Sequence, residues 1–172
     1  GALSYARVIL FSLMAAMTVD CAAQAEGRVG YVNLERILRD SAPAVRAQKK
    51  LEQEFAKRDQ ELGKLADQLK RLQEGIEKNT VTMSESERAK REREFADMNR
   101  EFQRKQREAR EDFNQRRNEE LSSVIERANK AVKQIAEIEK YDVIFQEAVW
   151  ASPRIDITDK VIRALDDSKP AK

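Results

Sequence analysis

Apolar residues recur at three- and four-residue spacing through a long polar segment in the middle of the chain. The segment lies between Pro43 and Pro153, contains no proline, and is interrupted by glycine only at Gly63 and Gly75. Lys, Arg, Glu, Asp and Gln fill most of the positions between the apolar ones. This pattern predicts long helices that pack along a narrow apolar seam and leave most of their surface in water.

The first predicted helix runs from Ala44 to about Lys78. Gln48 and Arg58 occupy two of its core positions, so we expect a thin seam. The remaining a and d positions of the heptad repeat are apolar: Leu51, Phe55, Leu62, Leu65, Leu69, Leu72 and Ile76.

A second long helix is predicted from Glu85 to about Lys140. The preceding residues 79–84 break the charge pattern, and Ser84 with Glu87 has the spacing of a capping box. Two such helices with a short link predict an antiparallel hairpin over residues 44–140, with its tip near 79–84. The C-terminal part of this helix is expected to pack into a core because it is rich in β-branched residues: Val124, Ile125, Val132, Ile135 and Ile138.

Short β-prone segments lie at both ends of the predicted hairpin. Residues 28–33 predict a strand, and Asn33 is placed to cap a brief helix. Residues 141–145 and 147–151 are two further β-prone runs, which suit either one β-hairpin or a three-stranded sheet with residues 29–32. Thr158 is expected to cap a final helix that ends near Leu165, before a polar tail at 167–172.

The fold class predicted from these segments is α+β, mainly α. Residues 26–43 and 141–166 are expected to form a small β body, from which the helical hairpin projects as a coiled-coil-like arm. The candidate residues for the core of the body, or for contacts between subunits there, are Val29, Tyr31, Val132, Val143 and Phe145.

Residues 1–25 have the features of a secretory signal peptide. Arg7 precedes an uncharged, mostly apolar run at 8–19, and residues 23–25 (AQA) match a small-x-small cleavage pattern. The apolar run is too short for a comfortable membrane span. Cys21 admits a lipoprotein box as an alternative, although Asp20 is a poor match to the small residue wanted there. We expect export and cleavage after Ala25.

The composition argues against an enzyme. Charged residues make up 37% of the chain, with 33 basic and 31 acidic, and histidine is absent. Beyond the predicted signal peptide there is no cysteine either, which excludes Cys/His zinc sites, disulfides and histidine acid–base chemistry. The sequence has no phosphate-binding glycine loop and no nucleophile elbow. We therefore expect no catalytic residue, cofactor or metal, and an oligomer that covers the exposed seam.

The mature chain resembles the Skp/OmpH family of periplasmic chaperones. The most specific elements of the resemblance are residues 29–33 (VGYVN), 141–145 (YDVIF) and 156–158 (DIT). The resemblance implies a periplasmic homotrimer, in which each subunit adds strands to a central β body and three helical arms hold an unfolded outer-membrane protein without ATP. A structural coiled-coil spacer or adaptor of the cell envelope is the alternative, although a spacer would favour a continuous, strong seam.

One basic stretch has two interpretations. Residues 100–110 contain five cations against Glu101 and Glu108, which suits ordinary i,i+4 pairing on a solvated helix. The functional interpretation is contact with an anionic surface: lipid headgroups, lipopolysaccharide or acidic stretches of an unfolded client. Nucleic acid is a poor candidate because the chain is expected to be exported. The five candidate residues are Arg100, Arg104, Lys105, Arg107 and Arg110.

Overall fold

The computed structural model describes residues 26–169, so the predicted signal peptide and the last three residues of the polar tail lie outside it. The chain is mainly helical with one small sheet, which confirms the α+β, mainly α class. The elements in chain order are β1 (Val29–Tyr31), α1 (Leu34–Asp40), α2 (Ala42–Lys78), α3 (Glu85–Ile138), β2 (Val143–Phe145) and α4 (Thr158–Asp166).

Two long helices dominate the structure, and side chains cap both of their N-termini. Ser41 Oγ accepts a hydrogen bond from the backbone N of Ala44, and Pro43 lies in the first turn of α2. Ser84 Oγ accepts from the backbone N of Glu87 at the start of α3. With 37 and 54 residues, the helices extend about 55 and 80 Å at 1.5 Å per residue.

Helices α2 and α3 pack against each other in opposite directions. The rings of Phe55 and Phe113 meet edge to face with their centroids 5.3 Å apart. The Arg58 guanidinium lies 2.6 Å from an Asp112 carboxylate oxygen. Lys50 contacts Glu120 at 3.1 Å. Residue numbers that rise along α2 therefore meet numbers that fall along α3, which makes the pair antiparallel.

The middle of this seam is loosely packed. Leu62 and Leu65 of α2 are only partly buried, and α3 presents Ala109 and Lys105 to them. An open cavity of about 360 Å³ lies between the two helices at this level. Small and charged residues at core positions leave dispersion contacts unmade, which gives the thin seam that the heptad pattern predicts.

The sheet differs from both predicted arrangements. Strands β1 and β2 pair in parallel, with Val29 opposite Val143 and Tyr31 opposite Phe145. On the other side of β1, the Tyr31 N–H donates to the Ile155 carbonyl at 2.8 Å. Residues 147–151 form no strand in the described chain, so neither the β-hairpin nor the three-stranded sheet is correct. A parallel pair needs a long crossover, and the three helices between β1 and β2 supply it.

The hydrophobic core lies where residues 32–37 and 157–165 meet the C-terminal part of α3. Val132 is partly buried against this core. The side chains that form the core come from both ends of the chain and from α3: Val32, Ile37, Ala128, Ala131, Ile157, Val161 and Leu165.

The cap of the last helix is also a correction. Thr158 is the first residue of α4 and not its cap, and the residue before it makes no side-chain cap bond. The carboxylate of Asp156 accepts from the Thr158 backbone N at 2.9 Å and from its hydroxyl. The buried Thr158 Oγ1 also accepts from the Asn33 N–H at 2.9 Å, so this hydroxyl links the two chain ends.

Candidate functional surfaces

One face of the small sheet is apolar and open to solvent. Successive side chains along a strand point to opposite faces. Gly30 and Ile144 face the core, whereas Val29, Val143 and Phe145 face outward, and Phe145 is 52% exposed. These three candidate residues are therefore not part of the core of a single chain. Of the other two candidates, Tyr31 is partly buried and Val132 packs on the core from α3.

The buried face of the sheet is fixed by a close contact at Gly30. A Cβ atom added there would lie 3.1 Å from the Tyr141 ring and 3.3 Å from Ile144. The Arg28 guanidinium stacks on the Tyr141 ring, 4.2 Å from the ring centroid. Its NH1 also donates to the Glu139 carbonyl. This packing holds β1 and β2 in one orientation and leaves the opposite face without a cover.

The loop that follows β2 adds further exposed apolar surface. Val149 is fully exposed and Trp150 is 78% exposed, although tryptophan is usually well buried in folded proteins. Trp150 therefore lies outside the core of a single chain. Clustered exposed apolar residues of this size mark a protein contact surface.

The five cations of the basic stretch on α3 differ in how they are paired. Arg104 donates to Glu101 and Glu108, and these hydrogen bonds raise its pKa above the ordinary value. Lys105 lies 3.8 Å from Glu101. Arg104 and Lys105 are thus engaged in the intrahelical pairing that was the simpler interpretation of this segment.

The other three candidate cations lie on the outer face of α3. Arg100 pairs with Asp97 on the same helix. Within residues 26–169, Arg107 and Arg110 make no ion pair, and both side chains are exposed. Counting cations in a sequence window missed two exposed arginines on the same face, Arg93 and Arg117. The signal that would have found them is the seven-residue spacing from Arg93 to Arg100 and Arg107, and from Arg110 to Arg117.

Sequence comparison places the chain in a family. The family described as "Outer membrane protein (OmpH-like)" matches residues 28–165. The chain belongs to the OmpH-like family. The match begins just before β1 and ends in α4, so it includes both strands and both long helices. The predicted resemblance to Skp/OmpH proteins is confirmed.

A solved structure has the same fold as this OmpH-like chain. It is a crystal structure at 2.83 Å resolution of a Caulobacter crescentus CB15 protein described as an OmpH-like outer membrane chaperone. The TM-score is 0.68, with 20% sequence identity over 83% of this chain and 85% of that one. No curated protein matches the chain in sequence.

The described part of this OmpH-like chain was compared with the requirements of a metal site and of a membrane span. Residues 26–169 contain no group of three or more Cys, Asp or Glu side chains arranged to hold a metal ion. None of the helices in this range combines the length and apolar character that a membrane span requires. The candidate functional surfaces are the open sheet face, the exposed loop after β2 and the outer face of α3.

Proposed function

We propose that the mature chain is a periplasmic holdase chaperone that works without ATP. In this proposal, it assembles as a homotrimer and encloses unfolded outer-membrane proteins between three helical arms, which prevents their aggregation. Membership of the OmpH-like family supports a chaperone role in outer-membrane protein assembly. The predicted signal peptide at 1–25 supports the periplasmic location.

The single observation that carries the assembly is the open apolar face of the sheet. Val29, Val143 and Phe145 would lose contact with water if neighbouring subunits packed on this face. Burial of apolar area stabilises an interface by roughly 25 cal/mol per Å². The exposed Trp150 lies in the loop that follows β2 and extends the same kind of surface. A body with its own core and an uncovered apolar face suits an oligomer of subunits that each have a folded core.

The α2–α3 pair has properties that suit an arm. Its buried contacts are concentrated near the body, where Leu51 and Phe55 of α2 are covered. Farther out, the seam is thinner and includes the cavity at Leu62 and Leu65. Such a hairpin can bend and separate at low free-energy cost, so it can accommodate clients of different sizes. Many individually weak contacts, acting together from three arms, would hold the client.

Exposed cations provide a second class of contact. Arg107 and Arg110 are exposed and make no ion pair within the described chain, so they are available to acidic client segments. Anionic lipid or lipopolysaccharide near the membrane would be attracted by the same charges. These interactions would speed the first encounter more than they would prolong the bound state.

The decisive test is suppression of client aggregation. An unfolded β-barrel protein is diluted from urea, and its light scattering is followed with and without the mature chain. We expect the mature chain to suppress scattering equally well in the presence and absence of ATP.

A matched control variant lacks the outer part of the hairpin. Deleting residues 65–78 and 85–105 removes whole heptads from both helices. It also keeps the 79–84 loop and the register in which Arg58 faces Asp112. This variant should remain folded and trimeric but fail to suppress aggregation. If the full mature chain is trimeric and leaves client aggregation unchanged, the holdase function is wrong and the envelope spacer is favoured.

A further inference from the structure

Two rows of opposite charge run along α3 at seven-residue spacing. Each arginine of the first row is followed immediately by a glutamate of the second row. The rows are Arg93, Arg100 and Arg107 on one side and Glu94, Glu101 and Glu108 on the other. Before and after these heptads, the same two positions hold Ser86 with Glu87 and Asn114 with Gln115, so the arginine row is confined to the N-terminal half of the helix.

The two rows lie on different faces of the same helix. Consecutive residues of an α-helix are about 100° apart around the axis and 1.5 Å apart along it. The arginine row lies opposite the side of α3 that contacts α2, since Phe102 and Ala109 face α2 and Arg107 does not. The glutamate row lies on a flank, where Glu108 borders the cavity between the helices.

Several side chains of these two rows make no ion pair within the described part of one chain. Arg93, Arg107 and Glu94 make no ion pair within residues 26–169, and Arg100 pairs only with Asp97 there. Glu101 and Glu108 do contact Arg104. A carboxylate has about four lone-pair sites, so each can accept a second arginine.

Rotational symmetry places the two rows at matching levels. In a cyclic trimer whose arms run along the symmetry axis, every residue has the same height in all copies. Arg93 of one arm is then within about 1.5 Å in height of Glu94 on the next arm. The same holds for the two following pairs, because both rows repeat every seven residues. The contact is head to tail, so it closes into a ring with no unpaired row.

We propose that the arms of the unloaded trimer close against each other through this ladder. The arginine row of each arm pairs with the glutamate row of the neighbouring arm. The binding partner of the arginine row is therefore a second copy of this chain. This inference rests on the trimer of the proposed function. Exposed ion pairs are individually weak and are screened by salt, so a client can displace them as the arms open.

The test measures the distance between arm tips. The predicted mature chain has no cysteine, because Cys21 lies in the signal peptide. Val81→Cys therefore gives one labelling site per subunit at the exposed tip. Pulsed electron paramagnetic resonance between spin labels then reports the tip-to-tip distances in the trimer. We expect molar salt to lengthen them by at least about 10 Å, one helix diameter.

Charge reversal separates the ladder from other effects of charge. The first variant combines Arg93→Glu, Arg100→Glu and Arg107→Glu. The second variant combines Glu94→Arg, Glu101→Arg and Glu108→Arg. Each should lengthen the tip distances as salt does. Combining all six substitutions restores opposite charges in register and the wild-type net charge, so the distances should return to the wild-type values.

A matched control applies the same change of charge to α2. Lys57, Lys64 and Arg71 also recur every seven residues, are exposed, and make no ion pair within the described chain. Reversing all three to Glu should leave the tip distances unchanged. The ladder is wrong if this control opens the arms as much as the α3 reversals, or if the six-fold variant stays open. It is also wrong if reversing Arg93, Arg100 and Arg107 leaves the tip distances unchanged and abolishes only the binding of the trimer to vesicles of anionic lipid.

Failure of the ladder can be distinguished from failure of the proposed function. Light scattering reports whether each labelled protein is a trimer, and the aggregation assay reports whether it retains holdase activity. A trimeric, active protein whose tip distances ignore all of these substitutions would overturn only the ladder. A labelled wild-type protein that is monomeric would overturn the proposed assembly and the ladder with it.

Discussion

At the scale of single residues, Lys140 is the clearest case of local strain. It follows α3 and has a φ of 60°; among residues 26–169 it is the one non-glycine residue with a positive φ. The Tyr141 N–H reaches back to the Ala136 carbonyl at 3.0 Å, as in a Schellman motif. That turn requires a left-handed residue, which a side chain disfavours by about 1 kcal/mol.

Replacing Lys140 with glycine should therefore stabilise the protein. We expect Lys140→Gly to raise the free energy of unfolding by about 1 kcal/mol, because glycine adopts the left-handed conformation without steric penalty. Urea unfolding at a fixed protein concentration measures this change. The matched control is Lys133→Gly in an exposed turn of α3, which should lower stability by about 1 kcal/mol. A destabilised Lys140→Gly variant would contradict this explanation.

Residue-level prediction succeeded where the signal was local. Asn33 and Ser84 accept hydrogen bonds from the third residue after them, as their positions before helices indicate. Thr158 was assigned as a cap because the sequence alone does not show its buried bond to Asn33, which is distant in the chain. Long-range hydrogen bonds of this kind depend on the folded topology, so a local pattern cannot reveal them.

At the scale of elements, the helices were predictable and the sheet was not. The long helices have continuous apolar periodicity, no internal proline and legible start signals, so their bounds differ from the prediction by about two residues. A three-residue strand has too few positions for alternation to be read. The parallel pairing of β1 with β2 depends on contacts across the whole hairpin. Residues 147–151 form no strand although they are β-prone, and the second edge of β1 pairs with residues 155–157 instead.

Ion pairs between α2 and α3 should make the hairpin sensitive to acid. Hydrogen bonding from Lys50, and secondarily from Arg116, holds the pKa of Glu120 below its ordinary value, despite partial desolvation. Hydrogen bonding from Arg116 likewise lowers the pKa of Glu54. A lowered pKa in the folded state means that the stabilisation is present above the unfolded-state pKa of about 4.3. It is lost as the pH falls through the folded-state pKa.

Glu120→Gln removes one charge from this network and keeps the shape of the side chain. We expect the variant to lose about 0.5–1 kcal/mol at pH 7 and to differ less from the wild type near pH 3. Urea midpoints between pH 7 and pH 3 measure both effects. Glu61→Gln is the control, since Glu61 makes no ion pair in the described range, and it should change little at any pH. An equal loss at both ends of the pH range would exclude the ionic explanation.

At the scale of the whole molecule, the body and the helical hairpin have surfaces suited to different roles. The body has a closed core on one side of its sheet and an apolar face on the other, while the outer hairpin has few buried residues. The sequence indicated this division through β-branched ends and a thin seam. It could not show that Val29, Val143 and Phe145 lie outside the core of one chain, because facing depends on which side of the sheet α3 covers.

Phe145→Asp should break the assembly without unfolding the subunit. Phe145 is half exposed in one chain, so the aspartate remains hydrated there, whereas in a trimer it would place an unpaired charge in an apolar contact. We expect light scattering to show monomers, with helical circular dichroism largely retained. Val81→Asp makes the same class of change at the exposed tip and should leave a trimer. Retention of the trimer by Phe145→Asp would place the subunit contact elsewhere.

Deleting residues 65–78 and 85–105 tests the same difference between body and hairpin, because it removes the outer hairpin and leaves the body unchanged. If the body alone holds the subunits together, this shortened chain stays trimeric, since Phe145, the loop at Trp150 and the core around Val161 are all unchanged. The shortened chain keeps only the Arg107 and Glu108 level of the inter-arm ladder, so high salt should promote dissociation of its trimer less than that of the full-length trimer. Sedimentation equilibrium at both salt concentrations measures this. A shortened chain that is monomeric, beside a trimeric Phe145→Asp variant, would assign subunit association to the arms and not to the body.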